Sequence, residues 1–458
     1  MEIAAAHAGS ADFDDDFPFP GRRIRYVDEG DPPISAECNA AHAILLIATG
    51  VACQSSDVMF VESIVEERFS PTHLVAVAAR PHLRLVRSPL SVSPMFVVLA
   101  ILHAYIGVRL LESFGPVIQV VGAGLLAACL WLLPTGFRTR RGRGAWSVWV
   151  PFLTVGFFSW LLVLTLVRDA SLVISMLLLS PQGQGAWIRS SAIAVMLLTP
   201  VITVMGFFIA RRVAPVVDVA VPVADLPRQL EGFTIAQISD IHVGPTIKRN
   251  FVEAIVDRVN RLGADMVAIT GDVVDGSVRE LAHHTEPLGR LVSRHGTYVV
   301  TGNHEYYSGA HAWIHELRRL GTRVLMNEHV VLDHDGAKLA VAGVTNYSAH
   351  HFDPSHKSDP HAAVKGAPTG APKVLLAHQP RSAPSAADAG YDLQLSGHTH
   401  GGQFWPWNLF VRLQQPFTAG LNRLGSMWVY INRGTGYWGP PMRFGVPSEI
   451  TLIRLVRG

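Results

Sequence analysis

Cysteine is nearly missing from this chain of 458 residues: only Cys38, Cys53 and Cys129 occur, and none lies in the second half. A disulfide framework or a thiolate metal site in that half is therefore excluded. Acid is missing from one long stretch, since between Ser91 and Arg212 the only carboxylates are Glu112 and Asp169. Excess positive charge is missing overall; a net charge of +2 gives no broad basic surface of the kind that marks a nucleic-acid binder. There is also no glycine-rich nucleotide loop, no Ser, His, Asp arrangement and no internal repeat. The first residues show no basic segment followed by an apolar run and a cleavage site, so they do not read as an ordinary signal peptide. Residues 1–90, acidic at Asp12, Asp14, Asp15 and Asp16, read as a partly disordered N-terminal region in which Ile44 to Cys53 is too short to span a bilayer.

What fills the acid-poor stretch is apolar. Uncharged runs cover Met95 to Val108, Pro116 to Phe137, Ala145 to Val167 and Ser190 to Ala210. A bilayer-spanning helix needs about 20 apolar residues, so residues 91–212 predict a transmembrane region of about four helices, the first completed by a snorkelling Arg109. A hydrophobic content of 49% and a mean hydropathy of +0.27 agree with a chain that is half membrane protein. Arg80, Arg84 and Arg87, then Arg138, Arg140, Arg141 and Arg143, then Arg211 and Arg212 fall on one side of four spans. By the positive-inside rule that side is the cytoplasm, which predicts a multi-pass protein of the cell membrane with a cytoplasmic second half. The uncharged segment Ala170 to Ile188 reads as a re-entrant piece; as a fifth span it would reverse the topology. Residues 213–230, with Pro215, Pro222 and Pro227, read as an extended linker, and residues 231–458 as a separate domain.

In that domain five short islands share one design. Runs of aliphatic and β-branched residues lead into Asp240-x-His242, Gly271-Asp272, Gly302-Asn303-His304-Glu305, His378, and Gly397-His398-Thr399-His400. Such runs read as buried strands of an α/β sheet, and ligands of these sheets gather beyond the carboxyl ends of the strands. Five strand ends would thus aim oxygen and nitrogen ligands at one crevice. That donor set suits Mn, Fe, Zn or Ni. A single Gly-Asp or Gly-His pair would be an ordinary turn; five in order read as a dinuclear metal site.

This pattern resembles the calcineurin-like metallophosphoesterases over roughly Phe233 to Leu455. Glu305 after Gly302-Asn303-His304, with Gly401-Gly402-Gln403, Gly434-Thr435-Gly436 and Arg443-Phe444-Gly445, looks like their membrane-associated bacterial branch. The resemblance implies a sandwich of two facing mixed sheets flanked by helices, a four-layer αββα domain. It implies that Asp240, His242 and His400 bind a first divalent metal ion, that Asn303, His378 and His398 bind a second, and that Asp272 bridges them. His304 would stand outside the metal shell as the catalytic residue that protonates the leaving oxygen or holds the phosphoryl group. Asp275, in Gly-Asp-x-x-Asp, is expected to orient a loop or a ligand.

Two such ions can hold a bridging water, lower its pKa and neutralise the equatorial oxygens of a phosphate ester. The expected activity is therefore hydrolysis of phosphomonoester or phosphodiester bonds by a metal-bridging hydroxide, on a lipid or nucleotide-linked lipid because the enzyme is tethered. The alternative is a membrane sensor or transporter with a non-catalytic phosphate-binding domain, although the spans lack the acid–base residues of a transport path. Phe404, Trp405, Trp407 and Phe410 suit either the membrane interface or the core. His283, His284, His311, His315, His350, His351, His356 and His361 read as surface or loop residues, and the segment from His350 to Pro372 as a long loop near the site.

Overall fold

A computed structural model describes residues 94–138 and 146–458. The N-terminal region and Arg80, Arg84, Arg87, Arg140, Arg141 and Arg143 lie outside the described residues.

Four helices in this part are long and apolar enough to cross a membrane: α1 (Pro94–Leu111), α2 (Pro116–Leu132), α3 (Trp146–Leu178) and α4 (Pro181–Arg211). Their contact is made by Ile106, Leu110, Phe158, Leu161, Ala192 and Val195, while Ile101, Val117, Val120, Leu177 and Leu197 face outward. The segment Ala170 to Ile188 is neither a fifth span nor a separate re-entrant piece. It is the tip of one helical hairpin, the end of α3 and the start of α4, turned at Ser180, whose Oγ accepts from Gly183 N, with Pro181 opening the next helix. The uncharged run from Ala145 stops at Arg168-Asp169, but these charges are neutralised between helices and do not end α3. Asp169 takes a bidentate pair from Arg109, Nε to Oδ2 and Nη2 to Oδ1 at 2.8 Å each, and the Tyr105 hydroxyl at 2.6 Å, and Arg168 bonds Ser191 Oγ and Ile188 O. The apolar helices therefore do contain charged and polar residues, paired with one another.

The segment read as a linker is largely a strand. β1 (Val216–Val223) runs parallel to β12 (Ile450–Arg457) at the edge of a sheet. Prolines led to the linker reading, but Pro215 precedes the strand and Pro222 sits on its edge, where the missing N–H costs no ladder bond. The first sheet has the order β1-β12-β2-β3-β4-β5, with β2 (Thr234–Ile238), β3 (Met266–Ile269), β4 (Thr297–Val299) and β5 (Arg323–Val324). The second has the order β10-β11-β9-β8-β7-β6, with β6 (Glu328–His334), β7 (Ala337–Gly343), β8 (Lys373–Leu376), β9 (Leu393–Ser396), β10 (Gly420–Leu424) and β11 (Met427–Ile431). Both sheets mix parallel and antiparallel pairs.

Alternation within the apolar runs explains the layering. Ile235, Met266, Ala268, Val374, Leu376 and Leu393 meet between the sheets, whereas Ala236, Val267 and Ile269 face the helix α5 (Arg249–Asn260) and Leu375 and Ala377 face the helix α10 (Ala383–Asp388). A strand buried on both faces has no polar period, so it appears in the sequence as a continuous apolar run. Between β3 and α10 come α6 (Val278–Thr285), α7 (Asn303–Tyr307), α8 (Ala310–Arg319) and α9 (Pro360–Val364). The result is a four-layer helix–sheet–sheet–helix sandwich following four apolar helices.

Candidate metal centre

Each expected ligand lies just beyond a strand: Asp240 and His242 after β2, Asp272 after β3, Asn303 after β4, His378 after β8, and His398 and His400 after β9. All are buried or nearly so. Five of the seven, Asp240, His242, Asp272, His398 and His400, have φ between +50° and +70°. Non-glycine residues seldom adopt this region, and when it clusters it marks a functional site held by its surroundings. The glycines serve close approach: a Cβ on Gly302 would overlap the Asp272 carboxylate, and one on Gly397 would overlap Ser239 and the Asp240 carboxylate.

Two groups of donor atoms result, one from Asp240, His242 and His400 and one from Asp272, His378 and His398. In the first, His242 Nε2 faces His400 Nε2 at 3.0 Å and Asp240 Oδ1 lies 3.4 Å from the latter. In the second, His378 Nε2 lies 3.1 Å from Asp272 Oδ2 and 3.2 Å from both His398 Nδ1 and Asn303 Oδ1. Asp272 Oδ2 is also 3.9 Å from His242 Nε2, so it stands between the groups. The other ring nitrogens are engaged. His378 Nδ1 donates to Thr270 O at 2.8 Å and His242 Nδ1 to Asp275 Oδ1 at 2.9 Å, which aims both Nε2 atoms into the cleft. Burial alone would lower His378, but Asp272 and Asp240 outweigh it and push it up to about 9, and imidazole, carboxylate and amide donors converging in a buried cleft fit divalent cations.

Asp275 contacts two histidines: its Oδ1 also lies 2.6 Å from His304 Nδ1. The imidazolium beside Asp275 holds its carboxyl below the usual range against the burial that would raise it. Burial alone would lower His304, but Asp272 and Asp275 outweigh it and push it up to about 9. Burial takes His398 down to about 3 and drives His400 well below its ordinary value, so both are neutral donors. Glu305 reaches back to accept from the backbone N–H groups of Gly302, Asp272 and Val273 at 2.6 to 3.0 Å, tying two ligand loops together; burial raises its pKa.

Other participants were hidden from the sequence. Trp438 lies over the cleft, 5.5 Å from the His304 ring and 6.5 Å from that of His242, and is held by Gln403, which accepts from its N–H. Arg443, fully buried, donates to the carbonyls of His400, Arg433 and Gly436 and stands 3.2 Å from His400 Nδ1. Its own backbone N–H donates to Gly206 O inside α4 at 3.0 Å. Arg443-Phe444-Gly445 was a visible signature, but nothing local could show that it joins a helix to a histidine.

The family model described as calcineurin-like phosphoesterase matches residues 233–402. The chain is 39% identical over 268 residues to a "Transmembrane protein with metallophosphoesterase domain" of Danio rerio, covering 57% of this chain and 61% of that one. It is 41% identical over 276 residues to the protein of the same name in Bos taurus, covering 58% and 62%. It thus spans about three fifths of the length of these two relatives. An "Uncharacterized metallophosphoesterase" of Aquifex aeolicus is 32% identical over 232 residues, which is 50% of this chain and 87% of that protein.

Proposed function

This chain belongs to the calcineurin-like phosphoesterase family, and from that premise we propose that it is a membrane-anchored hydrolase acting on the phosphoester of an amphipathic, lipid-like substrate. Asp240, His242 and His400 would hold one divalent ion, Asn303, His378 and His398 a second, and Asp272 both. When bound, the ions supply Lewis acidity toward the ester and its attacking water. The chain's own residues do the rest. His304, kept protonated by Asp275, gives its Nε2 proton to the oxygen that leaves phosphorus as the P–O bond breaks, and Glu305 fixes the turn that carries it.

The observation that carries the lipid reading is that the rim of the cleft is built onto the helices. Immediately after His400, Trp407 Nε1 donates to Ser159 Oγ of α3 at 2.9 Å, while Phe404, Trp405 and Phe444 surround Trp160. Trp160 Nε1 in turn donates to Met442 Sδ at 3.0 Å. Along the same edge Trp405, Leu409, Phe410 and Leu413 are exposed, beside helices whose outer faces are apolar; aromatic residues of this kind favour the membrane interface. The aromatic segment thus has both expected characters, Phe404 in the core and Phe410 outside it. A headgroup phosphoester would reach the metals without leaving the bilayer surface.

The test is turnover by the purified full chain of phospholipid phosphoesters in nanodiscs against the same headgroups free in solution. At least tenfold preference for the bilayer substrate is expected, and equal turnover of the soluble esters would end the lipid reading. Four spans and the arginine distribution support a cytoplasmic catalytic domain; a reporter fused after Gly458 should be active only inside the cell.

A further inference from the structure

Away from the cleft, a second cluster of histidines forms where two distant segments meet. His311 is the second residue of α8, and Asp353 caps and His356 closes the short turn Pro354–His356 in the loop after β7. His311 Nε2 lies 3.0 Å from Asp353 Oδ2, and His356 Nε2 lies 3.9 Å from the same oxygen. All three donor atoms are within 4.8 Å of one another. Two ligand atoms bound to one tetrahedral zinc at about 2.0 to 2.1 Å would stand about 3.3 Å apart, and the two measured separations bracket that value.

The remaining atoms of these side chains are committed elsewhere, in the way that orients metal ligands. Asp353 Oδ1 accepts from Ser355 N at 2.9 Å and Ser355 Oγ at 2.7 Å, leaving Oδ2 to the imidazoles. His356 Nδ1 is 2.9 Å from the Tyr306 hydroxyl, which turns Nε2 toward Asp353. A cavity of about 280 Å³ opens beside the cluster, between His311, His356, Asn327 and Thr345, with space for a water as fourth ligand. Arg318 also lines it. A surface ion pair would need one imidazole against Asp353; here two converge on a carboxylate whose other oxygen is already used.

We propose that His311, Asp353 and His356 form a third, mononuclear divalent-metal site of zinc type that pins the 353–356 turn to α8, next to the Asn303–Tyr307 helix. The site is independent of the dinuclear centre, so counting ions separates the two. The full chain in detergent micelles, stripped with chelator, reloaded with Zn²⁺ and washed, should hold about three ions by elemental analysis. His311→Ala, a change at an exposed side chain, should hold about one fewer while keeping aryl phosphodiester turnover within about twofold. His311→Cys should restore the lost ion. Co²⁺ loading should give absorption bands that lose one site's contribution in His311→Ala and in Asp353→Asn alike. Equal ion counts in the wild type and His311→Ala, whatever the number, would overturn the proposal. A count falling from one to none would uphold it even if the dinuclear centre were absent.

Discussion

Asp169 in the helix bundle and Asp272 in the cleft are both carboxylates withdrawn from bulk water, yet they are neutralised from different sources. Asp169 is matched inside the protein, with Arg109 bidentate upon it, Tyr105 donating and Arg168 3.4 Å away. Asp272 has only histidines and a backbone N–H, and Asp240 and Glu305 are buried in the same cleft with Asp275 half-buried beside them. Among the described residues no lysine or arginine forms an ion pair with Asp240 or Asp272. A buried anion needs a compensating charge; in the cleft titratable imidazoles supply it, His304 and His378 both being pushed up to about 9, where the bundle uses a guanidinium. The backbone agrees, since the positive φ angles gather at the ligands, while the helices carry none.

The sharpest way to break this contrast is to remove the groups at the centre of the cleft. Asp272→Asn and His378→Ala should each lower turnover of an aryl phosphodiester by at least about 10³-fold and release bound metal, since each takes a donor from the shared centre. Elemental analysis beside the rate decides it: full metal content with full activity in both variants would mean that the cleft is not a metal centre. Chelation should abolish activity, and Mn²⁺ or a similar ion should restore it.

A smaller effect separates roles within the turn after β4. His304→Ala should cost about 10² to 10⁴ in turnover, as expected for a positioned acid, with both central ions retained. Asn303→Ala should lose metal at the second position. Equal metal loss in the two variants would place His304 among the ligands.

The same contrast explains what could be read from the sequence. The ligand islands were legible because strands buried on both faces leave unbroken apolar runs, and the cleft begins where each run stops at a glycine or a polar residue. The four-layer sandwich followed from family resemblance carried by those islands. Contacts between segments far apart were not legible. Nothing near Arg168 shows that Arg109 and Tyr105 wait on another helix, so an uncharged window ended the span too early. Nothing near His311 shows its Asp353 partner, although His311 is exposed as a surface residue should be. β1 was obscured because its partner, β12, is more than 200 residues away. Trp438 and Arg443 likewise gain their roles only when the last loop folds over the cleft.

In the bundle the expected effect is on stability and not on chemistry. Arg109→Met should lower the unfolding free energy by about 1 to 2 kcal/mol, less than the ~3 to 5 kcal/mol for a fully buried pair, because both side chains keep partial exposure and Tyr105 and Arg168 remain. Thermal unfolding in detergent measures this. Specific activity of the folded fraction should be unchanged, and a large loss of turnover would show that the bundle's charges serve the reaction.

The smallest effect lies where the two regions touch, and it asks whether the seam carries function. A Cβ on Gly206 would come 2.9 Å from Met442 Cγ, and one on Gly156 would come 2.5 Å from Met442 Cε, so α3 and α4 admit the 440–444 segment only because both positions lack side chains. Methionine is adaptable enough to yield, so Gly206→Ala should fold. Its cost should appear as displacement of Met442 and the neighbouring Arg443, whose N–H is bonded to Gly206 O and whose guanidinium holds the His400 carbonyl. Turnover of a bilayer phosphoester should fall several-fold while a soluble aryl phosphodiester is cleaved within about twofold of the normal rate, because only the former must be aligned by the helices. An equal fall on both substrates would mean that the seam merely supports the metal cleft, and no fall on either would mean that the helices are a tether and nothing more.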